Sequence, residues 1–259
     1  MGKRAFQLFL VVCLLAGTMW AAGNPFEGKW KLNPSRSQLI DQMRVIAAGP
    51  NKYTLNFTGD NTETVVADGT DQPGLFGSTA SITVLAPDTW KMVRKNGGRI
   101  TISAIWKLSP DGNTLTDNFT GYRADGSTSK LLYVYKRTAG TSGFPGTWES
   151  VSEQVNSVFE IQIGIFEGDG LSFIYPSQQI TTNVKFDGKD YSTSGPNIPA
   201  GVSMSGHQLS ERSLELTQKI GGKVYTTQQV EVSPDLKTLI MTIHVPGRSK
   251  PDIQVFDRE

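Results

Sequence analysis

The chain has 259 residues, with 25 lysines and arginines against 24 aspartates and glutamates, two histidines and one cysteine. The charges balance, and no basic stretch is long enough to follow a phosphate backbone, which argues against nucleic acid as a partner. Cys13 lies in the amino-terminal leader, so the remainder has no thiol for a disulfide, a metal site or a nucleophile.

In chain order, residues 1–23 have the layout of a secretory signal peptide. Lys3 and Arg4 precede an apolar run, Ala5 to Ala16, broken only by Gln7, and Ala21-Ala22-Gly23 offers small residues for cleavage. The run is shorter than the ~20 residues a spanning helix needs. The expected mature chain begins near Asn24 and is exported, to the periplasm or outside the cell.

Period-two alternation dominates the rest of the chain. Tyr53, Leu55 and Phe57 alternate with polar residues, as do Ile100, Ile102, Ala104, Trp106 and Leu108. Further on, Phe159, Ile161, Ile163 and Ile165 do the same, and so do Leu239, Met241, Ile243 and Val245. Turn signals such as Asn96-Gly-Gly98, Pro110-Asp-Gly-Asn113 and Gly168-Asp-Gly170 separate these runs and predict antiparallel hairpins. The one segment with a helical stripe is Ser35 to Arg44. A transmembrane barrel would need uniformly apolar outer faces, whereas here they carry Lys52, Thr54 and Asn56, or Thr227, Gln229 and Glu231.

The chain also repeats itself. Lys95 to Leu115 returns as Lys219 to Leu239, with eight of 21 aligned positions identical and no gap. Gly28-Lys-Trp30 returns as Gly146-Thr-Trp148, and Asp68-Gly-Thr-Asp71 as Asp187-Gly-Lys-Asp190. The offsets are 118 (30 to 148), 119 (68 to 187) and 124 (97 to 221). A period near 120 exceeds that of solenoid repeats and matches a duplicated domain. The small, turn-prone segment 140–145 predicts a linker between units 24–139 and 146–259. Each unit is expected to hold about eight to ten strands, all-β and antiparallel, in an up-and-down barrel whose closure removes exposed edges.

Each unit opens with Gly-x-Trp and closes on a basic residue: Trp30 with Arg137, Trp148 with Arg258. This pattern resembles the lipocalin-like, calycin-type barrels, and Gly28-Lys-Trp-Lys-Leu-Asn-Pro-Ser-Arg-Ser37 resembles the opening of bacterial exported lipocalin-like proteins. The resemblance implies that each Trp plugs a barrel floor and that an Arg of the last strand packs across its indole within about 6 Å.

Catalytic chemistry is sparse. His207 and His244 belong to no metal-ligand spacing and are expected at the surface. No nucleophile elbow, phosphate loop or paired carboxylate pattern occurs. Asp68, Asp111, Asp187 and Asp235 read as turn formers. No enzyme, metal or cofactor is expected. The sequons at Asn56 and Asn118 fall on predicted strands and read as chance occurrences.

Aromatic residues are the better clue. Tyr53, Phe57, Trp90 and Trp106 in the first unit, and Phe173 and Tyr175 in the second, are candidates to line a cavity, with ordinary core filling as the alternative. Thr226 and Gln228 stand where the first unit has Ile102 and Ala104. If inward, they are buried polar groups that need partners, and a polar-headed ligand would then prefer the second barrel. The expected function is to bind or carry a small, mostly apolar or amphipathic molecule. The alternative is a structural or interaction module of the envelope with filled barrels.

Overall fold

The computed structural model describes residues 23–39, 41–58, 61–155, 159–196 and 198–259. The expected signal peptide, apart from Gly23, lies outside them. Strand β1 (Gly28–Leu32) is followed by β2 (Gln42–Gly49), β3 (Lys52–Thr58), β4 (Asn61–Val66), β5 (Gln72–Pro73), β6 (Thr79–Ala86), β7 (Thr89–Asn96), β8 (Arg99–Leu108), β9 (Thr114–Tyr122) and β10 (Thr128–Ala139). Then come β11 (Gly146–Val155), β12 (Glu160–Phe166), β13 (Gly170–Tyr175), β14 (Ile180–Lys185), β15 (Tyr191–Ser194), β16 (Val202–Ser210), β17 (Ser213–Ile220), β18 (Lys223–Val232), β19 (Thr238–His244) and β20 (Asp252–Arg258). The helical structure among the described residues is two short 3-10 turns, Leu75–Gly77 and Pro176–Gln178. Ser35 to Arg44 is not helical: Gln38 bridges to Ile253 and β2 begins at Gln42. There Met43 and Val45 are buried on either side of exposed Arg44, so the two-residue period prevails over the weaker helical stripe.

All the strands pair antiparallel, in two ten-stranded sheets. The first, in the order β4-β3-β2-β11-β10-β9-β8-β7-β6-β5, curls nearly shut. The second, running from β12 to β20 and completed by β1, is a closed barrel. The opening strands of the two repeats are therefore exchanged. Trp30 pairs with Ile161 of β12 and Arg258 of β20, while Trp148 pairs with Met43 of β2 and Arg137 of β10. Segment 140–145, read as a linker, is the turn between the paired strands β10 and β11, and the chain passes from one sheet to the other between β1 and β2 and again between β11 and β12.

This exchange corrects the floor assignments. Arg258 lies over Trp30, 4.0 Å from the ring centroid, and Arg137 over Trp148, at 4.1 Å. The expected stacking holds, but the partners are crossed. Each guanidinium also donates to backbone carbonyls: Arg137 to Gly112, Gly143 and Pro145, Arg258 to Pro25, Glu27 and Leu236. The indole N–H groups donate to Phe26 (2.8 Å) and Phe144 (3.0 Å), each four residues earlier. Glycine is needed two residues before each Trp because a Cβ at Gly28 or Gly146 would meet the guanidinium at 2.8 or 2.6 Å.

The other echoes in sequence are echoes in structure. Lys95 bonds Asp71 and Lys219 bonds Asp190, both at 2.7 Å. The carboxylates of Asp111 and Asp235 accept from Ser109 and Ser233, which close the turns, and these bonds hold both carboxyls below their usual range. Asp68 and Asp187 accept backbone N–H groups two residues on. His207 and His244 are exposed.

Candidate ligand cavity of the first barrel

The two barrels are filled differently. In the second, Phe173, Met204, Leu216, Val230, Met241 and Phe256 belong to one buried apolar cluster. In the first, Trp148 and Leu115 close a packed floor on which Trp90 stacks against Phe144 (3.8 Å) and Tyr53 leans on Trp90 (4.6 Å). Beyond this floor the barrel is hollow, with a cavity of about 780 Å³. Above Arg137, strand β10 turns Tyr135, Tyr133, Leu131 and Ser129 into it, the two-residue period of a barrel wall. Met43, Phe57, Met92, Ala104, Trp106 and Phe119 supply the rest of an apolar lining. The mouth faces the second unit, which contributes Phe159, Gln178, Pro199, Tyr225 and Arg248.

Polar groups gather just above the floor. Asp41 accepts hydrogen bonds from the Tyr135 hydroxyl and from Arg248, both at 2.7 Å. Arg248 reaches across from the β19–β20 loop and also donates to the Phe57 carbonyl at 2.6 Å. Burial, reinforced by the Asp41 carboxylate, pushes the Tyr135 phenol well above its usual range.

Asp117 is different. It is buried, stands opposite Trp106 in the β8–β9 register and opposite Tyr133 in the β9–β10 register, and lines the cavity. Its Oδ1 accepts no hydrogen bond and the Trp106 Nε1 donates none. Burial pushes the Asp117 carboxyl up to about 7. The nearby Trp106 N–H, which makes no hydrogen bond, opposes this, and the Asp41 charge adds to the rise.

The seam of this barrel, between β4 and β5, is closed by side chains. The Gln72 amide bonds both the N–H and the C=O of Val66 at 2.8 Å, in place of a strand partner. Buried Glu63 accepts the Leu75 N–H at 2.8 Å and pairs with Arg94, which also donates to Ser78. Phe76, on the same turn, meets Tyr225 of the second unit edge-on at 6.1 Å.

Of the residues singled out from the sequence, Phe57 and Trp106 line the cavity. Tyr53 and Trp90 pack beneath it, and Phe173, Tyr175, Thr226 and Gln228 lie in the second barrel. Thr226 and Gln228 do point inward, as expected, and the Gln228 amide donates to the Thr226 hydroxyl at 3.2 Å while its Oε1 accepts no bond. The cavity of about 780 Å³, however, belongs to the first barrel. Sequence reasoning missed Asp41, Asp117, Tyr135 and Arg248. Asp117 had a signal: two residues beyond the aligned block it stands where the second unit has Met241, a carboxylate on an inward position.

Among the described residues no cluster of His, Cys, Asp and Glu could hold a metal ion, and no helix is long and apolar enough to cross a membrane. No protein-family model matches the chain, and no curated protein matches it in sequence.

Proposed function

We propose that this chain is an exported, non-catalytic carrier of lipocalin-like type that holds a small, mostly apolar molecule in its first barrel. The observation that supports this reading is the cavity of about 780 Å³, within the ~300–1,000 Å³ range of small-molecule sites. Its inner walls are largely apolar around the convergent polar groups above the floor, a composition such sites share, and further polar residues such as Arg94, Arg123 and Gln254 complete the lining. Partition of an apolar body from water into these walls supplies the affinity, and the polar end sets orientation. The packed second barrel supplies rim residues and favours the structural role for that half of the chain.

Native mass spectrometry of protein purified from its own host tests the reading. The parent should carry a co-purifying small molecule, released on denaturation, and an Ala104→Phe variant that fills the cavity should arrive without it. A parent that carries nothing and takes up no hydrophobic fluorescent probe contradicts the proposal.

A further inference from the structure

The cavity's charged groups are not equally provided for. Arg94 is held by Glu63, and Asp41 by Arg248 and the Tyr135 hydroxyl. Arg123, the other basic residue of the lining, lies six residues along from Asp117, about 20 Å at strand rise. It donates to Ser127 in the β9–β10 turn. Asp252 accepts from the Gln254 amide at 3.2 Å. That leaves Asp117, buried, with an oxygen that accepts nothing, beside a Trp106 indole N–H that makes no bond. A buried carboxylate without a partner is costly, and a ligand that supplies one recovers the difference.

Resting on the carrier reading, we propose that the ligand is an amphipathic amine, an apolar body bearing a basic nitrogen whose ammonium seats against the Asp117 carboxylate. Trp106 and Tyr133 flank Asp117 on the neighbouring strands, and Tyr133 lies within ring-contact distance of both Phe119 (6.3 Å) and Tyr135 (5.9 Å). Such faces attract a cation through their quadrupoles. The Asp41 carboxylate on the same floor adds to the negative potential, while its Arg248 partner is engaged by two oxygens. A fatty carboxylate of the same length would set a second negative charge beside Asp117 and is disfavoured.

The test is calorimetric titration at pH 8 with three chain-matched probes: decylamine, decanol and decanoate. The amine should bind at least tenfold more tightly than the alcohol, with the carboxylate weakest. Asp117→Asn should bring amine and alcohol within about threefold of each other. A readout on the parent alone guards against a variant that fails to fold: the carboxyl carbon-13 titration of Asp117 should move to lower pH when decylamine binds, and not when decanol binds. Equal binding of amine and alcohol by the parent, or an amine preference retained in the variant, overturns the amine assignment while leaving the cavity's carrier role standing. If decanol too fails to bind, the carrier reading falls and the amine assignment with it.

Discussion

The two barrels share a strand order, a Trp–Arg floor, a Lys–Asp clasp and a Ser–Asp turn, yet the cavity of about 780 Å³ opens in the first, while an apolar cluster fills the core of the second. The register makes the comparison residue by residue. Asp117 of the first barrel faces Trp106 where Met241 of the second faces Val230. The floor-pairing positions of Arg137 and Arg258 place Tyr135 of the first barrel in the position of Phe256 of the second. At these two positions the second barrel has apolar side chains and the first has polar ones that cannot close on one another without stranding their oxygens and N–H groups; at Thr226 and Gln228, against Ile102 and Ala104, the order is reversed. On the proposed carrier reading, a duplicated scaffold keeps one copy as support and frees the other to hold a guest.

Interchange at the paired positions should expose this difference most sharply. Met241→Asp puts a carboxyl into the buried apolar cluster of the second barrel, and should cost roughly 5 kcal/mol at pH 8 by denaturant unfolding. A cost below about 1 kcal/mol would mean that the second barrel is not dry.

The exchanged strands give the next largest effect. Trp148→Ala and Trp30→Ala should each cost about 3–5 kcal/mol, the usual range for an emptied aromatic site. Hydrogen exchange should localise the loss from Trp148→Ala to β2–β10 and that from Trp30→Ala to β12–β20. The reverse localisation would show each repeat closing its own barrel.

Asp117 should report through pH. Its carboxyl titrates near 7 in the fold against about 3.9 when unfolded, so the folded state binds the extra proton between those values. Stability is therefore complete below pH 4 and declines as pH rises toward 7. Asp117→Asn removes that decline and should be more stable than the parent by roughly 4 kcal/mol at pH 8, converging with it at pH 4. A constant difference across that range would place the titration elsewhere.

Where the two barrels agree, substitutions should agree too. Lys95→Ala and Lys219→Ala each break a partly exposed ion pair and should each cost no more than about 1 kcal/mol, with the same salt dependence. A large difference between them would mean that the duplicated clasp has acquired a separate role in one barrel.

Much of this architecture was legible in the sequence. Alternation at Tyr53-Leu55-Phe57 and Phe159-Ile161-Ile163 revealed strands because one face of each had to be buried, and the repeat revealed two units because equivalent turns need equivalent residues. The partner of Trp30 was not legible. Arg137 and Arg258 close equivalent floors, so local chemistry is satisfied by either. The cavity was partly legible. Phe57 and Trp106 announced themselves as inward aromatics, but Tyr53 and Trp90 look the same in sequence and serve as floor, since hollowness depends on how facing side chains meet. Arg248 was hidden because it acts on Asp41 of the other barrel, 207 residues away.

The division of labour between the barrels is tested most directly by stoichiometry and place together. Isothermal titration of decanol, with methyl NMR shifts mapped onto both units, should give one molecule per chain. Perturbations should centre on Met43, Met92 and Ala104, with Met204 and Met241 unmoved. Two molecules per chain, or shifts centred on Met204 and Met241, would contradict the account.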